Sequence, residues 1–173
     1  MVKMHPAQTI SRKDYDRESL GYFFAGFVEG EGSFNVSLRK KSDYKVKWQV
    51  VLSFNVSQKD PSVLYLLKSE LDCGIIKTRR DGLHSFDATN SQDLIDKVIP
   101  YFKQYPLLSK SKIENFKIFC KISILVKNGE HRNLKGLRKI LLLREKLNVG
   151  KGRKRKYEFR DIFPIVKSSE TIR

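Results

Sequence analysis

Residues 24–34 read FAGFVEGEGSF, from Phe24 to Phe34. Asp16 offers a helix cap upstream, with Glu18 in the first turn. Leu20, Phe23, Phe24, Phe27 and Val28 then recur at helical spacing, until Gly30 and Gly32 end the run. Gly26 and Gly30 stand four apart and share one helix face, where small residues let a second helix approach closely. Glu29 and Glu31 meet at the end of this helix, where the backbone dipole repels negative charge. A phosphate cradle is a poor account of them, because phosphate-holding glycine loops use backbone N–H groups and a lysine rather than acids. Acids beside a free carbonyl suit a hard divalent cation such as Mg²⁺. An ordinary acidic helix end with glycine caps has the same spacing, so the motif alone leaves both readings open.

Downstream, Phe34, Val36 and Leu38 alternate with Ser33, Asn35, Ser37 and Arg39, the period of a half-buried strand. After a polar turn near Ser42-Asp43, Val46, Trp48, Val50, Leu52, Phe54 and Val56 form an apolar face. Lys45, Lys47, Gln49, Val51, Ser53, Asn55 and Ser57 form the opposite face. Antiparallel pairing permits that division into core and solvent sides. Asp60-Pro61-Ser62 opens a second helix over about 62–72, which Gly74 stops. A second hairpin turns at Asp81-Gly82, and helices follow over about 91–104, 109–126 and 133–147. The fold class is therefore α+β, in the order α-β-β-α-β-β-α, with helices on one face of an antiparallel sheet. We divide the chain into an arm (1–15), one domain (16–150) and a basic C-terminal segment (151–173). That segment is either a solvated tail or a phosphate-gripping arm.

The 173 residues carry 35 Lys plus Arg against 19 Asp plus Glu, a net charge of +16. Such an imbalance repels itself, so a polyanionic partner is expected: nucleic acid first, an anionic membrane surface second. Hydrophobic residues make up 40%, enough for a real core. No apolar run approaches the ~20 residues of a membrane span, and the first twenty residues lack the apolar core of a secretory signal. Cys73 and Cys120 stand apart, and His5, His84 and His131 are scattered; neither set has zinc-ligand spacing. A reducing compartment fits this cysteine usage.

The stretch FAGFVEGEG resembles the LAGLIDADG motif of homing endonucleases, in variant form. The resemblance extends through about residues 17–120, covering motif helix, hairpin, helix, second hairpin and helices, and is nearest to the small single-motif members that act as homodimers. It implies the LAGLIDADG endonuclease fold, with the sheet's polar face forming a DNA-binding saddle. The implied activity is site-specific, metal-dependent cleavage of both strands of a pseudo-palindromic target, because a symmetric dimer meets a symmetric site. Some relatives are maturases, so an intron RNA partner, or a catalytically silent DNA- or RNA-binding protein on the same fold, is the rival reading. An RNA-associated structural protein ranks last, because it has no use for the glycine-acid pair.

Residue by residue, the resemblance makes Glu31 the metal-binding acid, in a position where the family more often has Asp. The Gly30 carbonyl would face the same ion, and Glu29 would support the helix end. The implied cofactor is Mg²⁺, with Mn²⁺ or Ca²⁺ able to substitute in binding. Gln58 matches a residue that orders the nucleophilic water. Lys110, or nearby Lys112, matches a base that stabilises charge at the scissile phosphate. The family often has a further basic residue after the glutamine; here the stretch reads Asp60-Pro61-Ser62, with Lys59 the nearest cation. Gly26 and Gly30 match the small positions of the helix seam between two copies. The expected DNA-reading residues are Asn35, Ser37, Arg39, Lys41, Gln49, Val51, Ser53 and Asn55 on the first hairpin, and Lys77, Arg79, Arg80, Ser85 and Asp87 on the second. Lys45 and Lys47 are expected on phosphates. Intron encoding is implied, in an organelle (mitochondrion or chloroplast) or a prokaryotic cytoplasm, with no membrane association.

Overall fold

Asp16 caps the first helix, its carboxylate accepting from the Glu18 and Ser19 amides at 3.0 and 2.9 Å. In the computed structural model, which describes residues 15–149 and 155–164, that helix is α1, Arg17–Glu31. It runs straight into strand β1 (Gly32–Lys40), which turns back as β2 (Trp48–Gln58). Then come α2 (Ser62–Leu71), β3 (Ile75–Thr78) and β4 (His84–Ala88). The expected order α-β-β-α-β-β-α is realised in one antiparallel sheet of order β1-β2-β4-β3.

The register explains the two faces. Phe34 pairs with Phe54, Leu52 with Val36 and Val56 with Phe86. All six lie on the side that the helices cover, and all are buried. Phe34 packs on Phe54, Phe102, Phe116 and Phe119 with ring centres 5.0–5.7 Å apart, so one aromatic knot ties sheet to helices. Gly74, at φ +75, lies where a Cβ would sit 2.5 Å from the Phe86 ring, so only glycine fits there.

The expected helix over 91–104 is three joined pieces: α3 (Ser91–Asp93), a π-helical segment (Leu94–Val98) and α4 (Ile99–Gln104). Its cap is Asn90, whose side chain accepts from the Gln92 and Asp93 amides. Pro100 has no N–H for the Asp96 carbonyl, and the helix takes its wide turn just before it. Helix α5 (Lys110–Lys127), a 3₁₀ turn (Glu130–Arg132) and α6 (Leu134–Glu145) complete the helical layer. No helix among the described residues is long and apolar enough to cross a membrane.

The expected boundary at residue 150 lies outside the described residues, as do most of the arm and residues 151–154. Where the chain is described again, it packs on the domain. Arg155 pairs with Glu145 at 2.5 Å and donates to the Arg144 and Leu147 carbonyls at the end of α6. Tyr157 lies edge-on to Trp48 at 4.8 Å, and a short helix, α7 (Phe159–Ile162), follows. Buried Arg144 joins three pieces, donating to the Val36 carbonyl at 2.9 Å and to the Tyr157 carbonyl at 3.0 Å.

Candidate active site and nucleic-acid interface

Helix α1 delivers Glu31 as its last residue and Gly32 as its C-cap. The terminal carbonyls of a helix lack intrahelical donors, and this last turn holds no basic residue, so the end of α1 is a negative spot. The Glu31 carboxylate is exposed and makes no hydrogen bond or ion pair among the described residues.

Glu29 is occupied differently. Its carboxylate accepts from the Leu108 and Ser109 amides at 2.5 and 3.0 Å and from the Ser109 hydroxyl at 2.5 Å. It thus seats the start of α5 against the end of α1. Burial raises the Glu29 pKa, but the Ser109 and Leu108 hydrogen bonds and the Lys112 charge outweigh that, so it lies below the ordinary glutamate value.

The structure separates the two candidate lysines. Lys112 is half-buried and donates to the Gly32 carbonyl, with Glu29 and Glu31 as its charge neighbours. Burial lowers its pKa, and the two glutamates offset this only in part. Lys110 is exposed at the first position of α5 and makes no side-chain hydrogen bond or ion pair among the described residues. The geometry therefore favours Lys112 over Lys110. The reason is rotational: with Ser109 pinned as N-cap by Glu29, residue 112 faces α1 and residue 110 faces solvent.

Gly32 pairs with Val56, so β1 begins and β2 ends at the same sheet border. Gln58 closes β2 there, opposite His84, which meets the Thr78 hydroxyl at 3.0 Å. Glu31, Gln58 and Lys112 thus stand at one end of the sheet, carried by α1, β2 and α5. Among the described residues, no three carboxylate, histidine or cysteine side chains converge into a metal cage. One carboxylate beside helix-end carbonyls suits a hard cation that takes its remaining ligands from water and phosphate.

The expected reading face is the sheet side away from the helices. Arg39 pairs with Gln49, Ser37 with Val51, Asn35 with Ser53, Asn55 with Asp87 and Ser85 with Lys77. Ser37, Arg39 and Lys77 are exposed, whereas Gln49, Val51 and Ser53 are half-buried in the pleat. Three sets of expected residues sit elsewhere than on an open strand face. Asn35 is only 9% exposed, because Asn148, in the loop after α6, folds over it and donates to its amide oxygen at 3.2 Å. Arg79 and Arg80 lie beyond β3 in the turn, where Arg79 pairs with Asp81 at 3.1 Å. Lys41, Lys45 and Lys47 lie outside the strands, and Lys47 donates to the Ser42 carbonyl at 2.7 Å. Asn148 carried no signal in the sequence, being an isolated asparagine over 110 residues from the strand it covers.

On the remaining face of α1, Gly26 and Gly30 have nothing within 4 Å of an added Cβ, and Tyr22 and Phe23 are about half exposed. Helix α1 thus combines an open face bordered by aromatics with a lone carboxylate at its end, beside the sheet. The LAGLIDADG endonuclease family model matches residues 24–123, more than half of the chain, and the chain belongs to that family. It is 33% identical over 147 residues to the probable intron-encoded endonuclease 2 of Neurospora crassa, covering 83% of this chain and 32% of that protein. The chain spans a third or less of the length of two such Neurospora relatives. Among solved structures it resembles the homing endonuclease I-TnaI, with 32% identity and a TM-score of 0.71, over 79% of this chain and 90% of that one. It also resembles I-LtrWI bound to target DNA, with 32% identity and a TM-score of 0.77, over 86% of this chain and 50% of that one.

Proposed function

We propose that this protein is a site-specific DNA endonuclease that cuts both strands of a pseudo-palindromic duplex as a homodimer. The observation that carries the reading is the unpaired Glu31 carboxylate at the mouth of a basic sheet face, with the Lys112 ammonium held beside it. A single carboxylate makes half of a cleavage centre, and a second copy packed through Gly26 and Gly30 would bring up the other half.

Glu31 and the Gly30 carbonyl would hold the divalent ion, Mg²⁺ by the chemistry of the donors, with Mn²⁺ or Ca²⁺ substituting in binding. Such an ion would supply Lewis acidity toward a phosphate and would acidify a bound water. Lys112 supplies positive charge beside the phosphate as its negative charge grows. Glu29 acts through position alone, fixing the start of α5 and hence Lys112. Gln58, at the same border, orients the attacking water, and Lys59 is the nearest cation after it. Ser37, Arg39, Lys41, Gln49, Val51, Ser53 and Lys77 face the duplex, while Arg79 and Arg80 reach its flank from the turn. Intron encoding, in an organelle or a prokaryote, goes with this reading.

The test uses a duplex that joins the two sides of a candidate intron-insertion site, incubated with the full chain in Mg²⁺ or in EDTA. One Mg²⁺-dependent double-strand cut is expected, and Glu31→Gln abolishes it with binding retained. Tight binding without a cut in either buffer transfers the reading to a maturase or a silent binding protein. Cleavage that survives Glu31→Gln removes Glu31 from the centre.

A further inference from the structure

The sheet's outer face carries a chain of side-chain hydrogen bonds with a direction. It starts at a group that can only accept, the Phe34 carbonyl, which takes a hydrogen from the Asn148 amide at 2.8 Å. The same Asn148 nitrogen donates to the Asn35 amide oxygen at 3.2 Å. Asn35 in turn donates to the Asn55 oxygen at 3.0 Å, and Asn55 donates to Asp87 at 2.5 Å. A backbone carbonyl at one end and a carboxylate at the other both only accept, so every amide between them is fixed against flipping.

This direction decides what Asn55 can offer a ligand. An amide oxygen has two acceptor sites. Those of Asn55 are filled by Asn35 and by the Ser53 hydroxyl at 3.1 Å. One of its two N–H groups goes to Asp87, and the other is left over. The free asparagine of the sequence reading donates and accepts at once and so suits adenine. The folded one only donates.

Resting on the DNA-cleaving reading above, we propose that Asn55 is a specificity-determining residue that presents a single donor to the major groove and rejects cytosine at the base it meets. Guanine N7 and O6, adenine N7 and thymine O4 all accept, whereas cytosine shows a donor there. Asn35 and Asn148 are positioning residues that hold the Asn55 amide in its one orientation. Lys77, paired with Asp87 at 2.9 Å, holds the carboxylate end of the chain in place.

The test selects duplexes from a randomised pool with the full chain in Ca²⁺ buffer and reads base frequencies position by position. In the natural protein, one position disfavours cytosine by about five- to tenfold against the other bases. Asn55→Ala flattens that position and no other. Asn148→Gly, which keeps the left-handed backbone of residue 148, readmits cytosine there while affinity for the best duplex stays within error. Asn35→Ala does the same if it folds. An enriched pool whose profile is unmoved by Asn55→Ala, or a natural preference that admits cytosine at every position, overturns the inference alone. A pool with no enrichment overturns the DNA-binding reading and the inference with it.

Discussion

Glu29 and Glu31 are two residues apart and chemically alike, yet the fold gives them different work. Glu29 is saturated by the start of α5, while Glu31 is left open. Because the folded Glu29 pKa is depressed, its contribution to stability is complete above the unfolded value near 4.5 and is lost as pH falls through the folded one. Urea midpoints should therefore drop on acidification in the natural protein, and Glu29→Gln should be less stable at neutral pH with the gap closing toward pH 3. A gap that holds at all pH values would show the clamp to be steric. The lysines divide in the same way. Lys112→Met should lower the cleavage rate by about 10²-fold or more at unchanged binding, as loss of a pre-placed charge does, and Lys110→Met should cost far less. Single-turnover rates of both variants settle the assignment. The acids were legible in the sequence because glycines bracket them. The choice between Lys110 and Lys112 was not, because it depends on a cap supplied from 80 residues away.

At the scale of elements, α1 is the piece with an unused face. Gly26 has open space around it, so Gly26→Leu fits the single chain and removes a helix-weakening glycine. Thermal stability of the monomer should stay level or rise by roughly 0.5–1 kcal/mol, while self-association measured by light scattering falls. An unaffected dimer would take the helix seam away from Gly26. Strand alternation read the first hairpin well, because Val36, Leu52 and Phe54 keep strict period two into the core. It misread the hairpin tip, where Lys47 adopts φ +60 and the chain leaves the sheet before Trp48. Apolar spacing placed the helix near Pro100 but not its π turn, since widening one turn leaves the buried Leu94 and Val98 almost where a regular helix would put them.

The whole molecule has a net charge of +16, and Arg39, Lys41, Lys77, Arg79 and Arg80 lie on or beside the outer sheet face. Duplex binding should weaken steeply with salt; about six phosphate contacts give a slope near −5 in log affinity against log salt. A flat series measured by fluorescence anisotropy would count against the basic face. Architecture at this scale was readable because element order and charge suffice to place a sheet under helices. The return of residues 155–164 was not, because Arg155 and Tyr157 sit in a run whose composition suggests a tail, and only their partners Glu145 and Trp48 show otherwise.

The hold of α6 on the outer strand has one more effect. The Phe34 and Val36 carbonyls, which β2 does not use, are taken by Asn148 and Arg144. A sheet border with two of its acceptors occupied is a poorer template for a strand from a neighbouring chain, and the opposite border, β3, is only four residues long and carries Lys77. Both borders are thereby blunted against edge-to-edge β pairing. Copies crowded side by side would thus lack the open strand edges from which fibres grow.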